Sequence, residues 1–295
     1  MSNDIKRVTG LLVIEVVNSN PNGDPDREGD PRQRPNGLGE ISPVSFKRKL
    51  RDLLEDPNGV FFASLPEEFS KNSINYSILE SRGRDRVEIR KEMGDTTIGN
   101  FDQNKFLNSN FVEKYWDARV FGNTFLEEKS DKGFIKTGVV IFGVGLSISP
   151  IQIIRHTNTN KAGVEADKQQ GMAPLAYRIV EHGVYCMPFF INPNYANKTG
   201  CTLKDIELLR LLIPNAYDQT KSAIRPDVRM RHAWYMEHNN ILGSCPDYLL
   251  FDALIPKRIG DTQESSNSWH DYKDVNDLPN TLKSKLLSFE DLIKT

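Results

Sequence analysis

Three alternating asparagines and a helix dense in cations carry most of the chemistry this sequence can do. Asn18, Asn20 and Asn22 stand in Asn18-Ser19-Asn20-Pro21-Asn22-Gly23-Asp24-Pro25-Asp26, and the later stretch Ser42-Pro43-Val44-Ser45-Phe46-Lys47-Arg48-Lys49-Leu50-Arg51 holds four cations. A side-chain amide both donates and accepts hydrogen bonds, and Lys and Arg bind phosphate oxygens by charge. A loop of the first kind beside a helix of the second can grip a phosphate backbone. Arg229 and Arg231 add cations on a separate segment, where Tyr235 offers either a ring for base stacking or an ordinary core side chain. From Arg82 to Lys91 five cations meet two carboxylates, which suits either a solvated face or a phosphate contact.

Other chemistries fit less well. Asn18-x-Asn20-x-Asn22-Gly23-Asp24 has the opening of a calcium loop, but the twelfth position falls on Gly29, with Glu28 one residue early, and a strand precedes it. Asp24, Asp26 and Asp30 could hold a metal for phosphodiester cleavage, so a metal-dependent ribonuclease using Asp24 and Asp26 is the alternative reading. The five histidines are scattered singly, and the GxSxG, GxxxxGK[ST] and HExxH patterns are absent. Cys186, Cys201 and Cys245 are odd in number, with no CxxC pair, which favours a reduced compartment over a disulfide or zinc framework. No catalytic residue, metal ligand or cofactor is assigned.

The elements that must position these residues follow from local patterns. With 38 basic and 40 acidic residues the net charge is −2, so any nucleic-acid site has to be local. Residues 7–17 read as a buried strand and 18–41 as a long loop, a length that usually marks function. Ser42 and Pro43 read as N-cap and first helical position, with Phe46, Leu50, Leu53 and Leu54 as the apolar stripe. Lys47 and Arg51 flank that stripe one turn apart, and Arg48 points away from it.

Further along, a strand is expected at 139–148, with Phe142, Val144, Leu146 and Ile148 on one face and Gly143, Gly145, Ser147 and Ser149 on the other. Residues 155–174 read as a protrusion, 177–190 as a strand, and 203–213 as a helix capped by Thr202 and Asp205. In 228–236, alternation puts Arg229, Arg231 and Tyr235 on one face and Val228, Met230, Trp234 and Met236 on the other. A polar linker over 260–276 and a C-terminal helix near 281–293 complete the reading. The order predicts an α+β domain with an antiparallel sheet, close to the ferredoxin-like pattern. No segment approaches the ~20 apolar residues of a membrane span, and the N-terminus does not read as a signal peptide, so the expected location is cytoplasmic.

The stretch Val16 to Asp26, followed by Phe46-Lys47-Arg48-Lys49-Leu50-Arg51, resembles the backbone subunit of type I CRISPR Cascade complexes, the Cas7 family of the RAMP superfamily. Trp116 to Gly122, Arg155 to Gly171, Tyr185, Asp205 to Leu212, and Ser222-Ala223 through Gly243 extend the resemblance over roughly residues 8–256. Lys136-Thr137-Gly138-Val139-Val140 departs from the Arg-Gly-Pro-Val-Gln of close relatives, so no role is carried to Lys136.

The resemblance implies an RRM-type, ferredoxin-like palm over 1–56 and 121–256, with a thumb hairpin at 152–175. It also implies a finger insertion at 57–120, leaving 257–295 as linker and terminal helix. It implies copies polymerising head-to-tail along a CRISPR RNA beside other Cascade subunits, presenting the guide to target DNA without cutting. On that basis Asn18, Asn20 and Asn22 hold sugar and phosphate, and Lys47, Arg48 and Arg51 clamp adjacent phosphates. Arg119, Arg155, Arg229 and Arg231 extend the track.

Overall fold

The computed structural model describes residues 5–83, 107–122, 137–159 and 174–293. Most of the basic run 82–91, the tip of the expected thumb and Lys136 lie outside them. The labelled elements are β1 (Val8–Ser19), β2 (Leu38–Ile41), α1 (Pro43–Asp52), α2 (Trp116–Phe121), β3 (Val140–Phe142) and β4 (Gly145–Pro150). They continue as β5 (Ile153–Thr159), β6 (Pro174–Ile191), α3 (Leu203–Asn215), β7 (Val228–His238), α4 (Asp247–Leu254) and β8 (Leu286–Asp291). None of the described helices is long and apolar enough to cross a membrane.

The fold is α+β, built on an antiparallel sheet of eight described strands in the order β8-β7-β1-β6-β4-β2, with β3 and β5 also paired to β6. Along one edge β6 meets β1; along the other it meets β5, β4 and β3 in turn. Both faces of the sheet are covered. Leu12, Ile14 and Val16 of β1 join Phe46, Leu50, Trp116, Leu209 and Tyr235 in one core, beneath α1, α2 and α3. Leu11 and Val13 join Trp234, Met236, Leu250 and Leu254 in a second, beneath α4. This two-sided burial explains why β1 reads as a continuous apolar run instead of an alternation.

The helices follow their local signals. Ser42 Oγ accepts from Ser45 N–H at 3.2 Å, and Pro43 opens α1, whose Phe46 and Leu50 are fully buried. Thr202 and Asp205 form the reciprocal capping box of α3.

Four expectations are corrected. The strand expected at 139–148 is broken at Gly143–Val144, and beyond the break the small residues Gly145, Ser147 and Ser149 are the buried ones. Ser147 Oγ accepts from Gly39 N–H at 2.8 Å, a close backbone approach that a bulky side chain would block. In β7, Val13 pairs with His232 and Ile14 with Met230, so Arg231 is an extra, bulged residue. A bulge reverses the alternation beyond it, which moves Tyr235 into the first core and away from the face of Arg229 and Arg231.

The C-terminal helix is instead a short turn of helix at Asn280–Lys283 followed by the edge strand β8. The polar stretch 260–276 is no free linker, because Ser266 and Tyr272 bury themselves against the second face. The described parts of 57–120 contribute Phe62, Phe69, Tyr76 and Trp116 to the first core, so they pack on the sheet.

Candidate nucleic-acid interface

β1 runs into the asparagine loop through Asn18, which is exposed and adopts the left-handed conformation (φ 42) that Asn tolerates. Asn20 turns inward. It is 2% exposed, and its Nδ2 donates to the carbonyls of Gly29 (2.9 Å) and Arg178 (3.0 Å). Asn22 Oδ1 accepts from Ser42 N–H at 2.7 Å, tying the loop to the start of α1. Of the three amides, therefore, Asn18 faces solvent while Asn20 and Asn22 build the loop.

The loop carboxylates are engaged as well. Asp24 caps the short helix that follows it by accepting from Asp26 N–H (3.2 Å) and lies 3.7 Å from Arg32. Asp30 pairs with Arg155. Among the described residues no group of three or more His, Cys, Asp or Glu side chains could hold a metal ion.

α1 divides its cations between two flanks. On one, Lys47 Nζ sits 5.5 Å from the centre of the Phe121 ring, and Glu80 is the carboxylate whose charge reaches it. Burial, then the charge of Arg51, holds its pKa below the ordinary lysine value. Arg51 itself is buried and bonded to Asp117 (2.8 Å) and Glu80 (2.9 Å). On the other flank Asp52 serves Arg48 (2.7 Å), Arg82 (3.3 Å) and Lys49 (3.7 Å). Arg48 is further tied to Glu55 and to the carbonyl of Glu80.

Arg225 approaches this second flank from across the molecule, anchored by its Nε to the carbonyl of Asn20 at 2.8 Å. No carboxylate pairs with Arg225 among the described residues. Burial lowers its pKa, and it lowers that of Lys49, where desolvation acts first and Arg225 second. Arg225 also acts on the hydroxyl of Tyr217, which is buried without a hydrogen-bond partner among the described residues. Lys49, Arg225 and Tyr217 thus form a donor-rich floor beside the asparagine loop, with only part of Asp52 to neutralise it.

Sequence reasoning missed Arg225 and Tyr217, and counted Lys49 among the cations of the helix without giving it a contact of its own. The signal for Lys49 lay one helical turn past Ser45, whose Oγ donates to the carbonyl of Pro21 in the loop (3.3 Å). Arg225 carried no local signal.

The remaining expected residues lie elsewhere. Arg119 is interior: its guanidinium bonds Asp205 twice (3.0 and 2.6 Å) and the carbonyls of Val112 (2.6 Å), Glu113 (2.7 Å) and Asn75 (2.9 Å). Burial opposes its charge, but Asp205 outweighs it and raises the pKa. In this structure Arg119 and Arg51 are thus buried and engaged within the fold, unlike the exposed phosphate contacts that the sequence leads one to expect.

Arg229 and Arg231 pair with buried Glu15, and Arg231 stacks over Trp269 at 4.8 Å. Glu15 and Trp269 lie on the second face of the sheet, opposite α1, so no single trough joins Arg231 to Lys47 and Asn20. Arg155 is exposed at the base of the β5–β6 hairpin, against Asp30.

The family model described as CRISPR-associated protein Cas7 matches residues 6–276. A curated relative, CRISPR-associated protein Cas7 of Haloferax volcanii, is 24% identical over 287 residues, which cover 90% of this chain and 78% of the relative. A chain of the solved structure "CRISPR RNA-guided surveillance complex, pre-nicking" is 14% identical at a TM-score of 0.47, covering 79% of this chain and 77% of its own. Another, from "CRISPR RNA-guided surveillance complex", is 12% identical at a TM-score of 0.43, covering 78% and 68%.

Proposed function

This chain belongs to the Cas7 family, and from that premise we propose that it is a CRISPR RNA-binding backbone subunit of a type I effector complex, holding the guide by its phosphates. The observation that carries the reading is the under-neutralised pair Lys49 and Arg225 beside the asparagine loop. Partly buried cations are screened less by salt than exposed ones. The pKa of Lys49 is lowered first by burial and then by the charge of Arg225, which Asp52 offsets only in part, so the site favours a further anion. A phosphate supplies that anion. Arg225 makes the contact, Lys49 adds charge from the floor, and Lys47 extends the track along the other flank of α1. Asn18, exposed where β1 meets the loop, offers its amide to the ribose.

The β1-α1-β4-β6-α3-β7 succession, with β7-β1-β6-β4 side by side, supports a ferredoxin-like palm. In this reading copies stack head-to-tail along the RNA, next to other subunits, in the cytoplasm. They leave the bases free to pair with target DNA, and the protein binds without cleaving.

Phosphate contacts carry no sequence information. Titration of the protein with unstructured single-stranded RNAs of different sequence is expected to give one affinity, and labelled RNA incubated with Mg²⁺ is expected to stay intact. Binding confined to one sequence would contradict the reading, as would cleavage lost in Asp24→Ala.

A further inference from the structure

Arg155 of β5 and Arg178 of β6 are direct partners on the antiparallel ladder, so two guanidinium-bearing residues stand opposite one another at the base of the hairpin. Like charges in that position destabilise a ladder unless an anion lies against them. The asparagine loop supplies two carboxylates. Asp30 accepts from Arg155 Nε at 3.1 Å and from Arg155 Nη2, and stands 3.6 Å from Arg178 Nη1. Glu28 pairs with Arg178 Nη2.

The two acids are held very differently. Asp30 is nearly buried, paired with Asp24 in the loop's own two-residue ladder, and kept well ionised by its bonds to Arg155. Glu28 has an 80% exposed side chain. Its backbone is left-handed (φ 52), a conformation disfavoured for any residue with a Cβ. An exposed pair of this kind contributes little and breaks easily.

Arg178, in contrast, is fixed. Its Nη1 donates to the carbonyl of Arg27 at 3.2 Å, and its own carbonyl accepts from Asn20. The guanidinium is therefore aimed before any ligand arrives, and a phosphate suits its fork as well as a carboxylate does.

We propose that Arg178 and Arg155 form a binding site for a phosphodiester of single-stranded RNA, and that Glu28 is its resting occupant, a carboxylate holding the place of the phosphate. The site is distinct from the Lys49–Arg225 floor, and its assignment to RNA rests on the function proposed above. Glu28 then weakens binding of stray RNA, because each phosphate must first displace it.

The test uses the full chain in two assays, fluorescent single-stranded RNA at low salt and thermal shift with pyrophosphate. Glu28→Gln is expected to bind RNA about threefold tighter, the factor set by losing one exposed ion pair. Glu28→Gly, which also relieves the left-handed backbone, is expected to do the same. On an Arg178→Gln background Glu28→Gln is expected to change nothing. Pyrophosphate is expected to raise the melting temperature of both Glu28 variants more than that of the wild type.

Glu28 variants that bind RNA no more tightly and gain nothing from pyrophosphate would overturn the site. If pyrophosphate discriminates the variants while none of the proteins binds RNA, the RNA assignment is overturned together with the proposed function, and the arginine pair stands as an anion site.

Discussion

Five hydrogen bonds tie the guanidinium of Arg119 to Asp205 and to three backbone carbonyls, whereas that of Arg225 meets the carbonyl of Asn20 and no carboxylate among the described residues. The contrast separates a structural cation from one available to a ligand. Removing one partner of a buried ion pair leaves the other uncompensated, at about 3–5 kcal/mol. Arg119→Met is accordingly expected to lower the unfolding free energy by that much in chemical denaturation.

Glu15 gives a pH signature. Burial raises its pKa, but bonds from His182 and the charges of Arg231 and Arg229 outweigh burial and leave it lowered. A carboxyl whose folded pKa lies below its unfolded one stabilises the protein above the ordinary carboxylate range, and that contribution is lost as pH falls through the folded value. Stability of the wild type is expected to drop below about pH 4, and Glu15→Gln is expected to flatten that limb in acid titrations followed by circular dichroism. An unchanged acid limb would remove Glu15 from the account.

At the scale of elements, α1 links packing to the interface, because Phe46 locks the helix that carries Lys47 and Lys49. Phe46 meets Phe142 edge-on with ring centres 5.0 Å apart. Phe46→Ala is expected to cost about 3–5 kcal/mol in chemical denaturation and to weaken RNA binding only through loss of folded protein.

α1 and α3 were legible in the sequence because their caps and stripes act within one or two turns. The bulge at Arg231 was not, since it exists only relative to the register of β1. The edge strand β8 hid for a similar reason. Leu286 and Phe289 suit a helix as well as a strand, and pairing with β7 decides between them. The site was half legible: Lys47 and the asparagine loop announced themselves, but the anchor of Arg225 on the Asn20 carbonyl joins segments far apart in the chain. Sequence also could not tell engaged cations from free ones, which is why Arg51 and Arg119 looked like phosphate contacts.

For the whole molecule, the near-neutral net charge makes sense if carboxylates neutralise most cations internally and leave positive charge at a few places. Among the described residues both faces of the sheet are covered by side chains, so the proposed function leaves RNA no bare sheet surface there. In the proposed function it follows the rim, where the asparagine loop, α1 and the segment around Arg225 meet.

The salt dependence of RNA affinity tests this most directly, because its slope counts neutralised phosphates at about −0.7 each on single strands. With about three contacts the wild type is expected near −2, and the double variant Lys49→Gln, Arg225→Gln at about −0.7, with the melting temperature kept within a few degrees. Equal slopes for the two proteins would contradict the account.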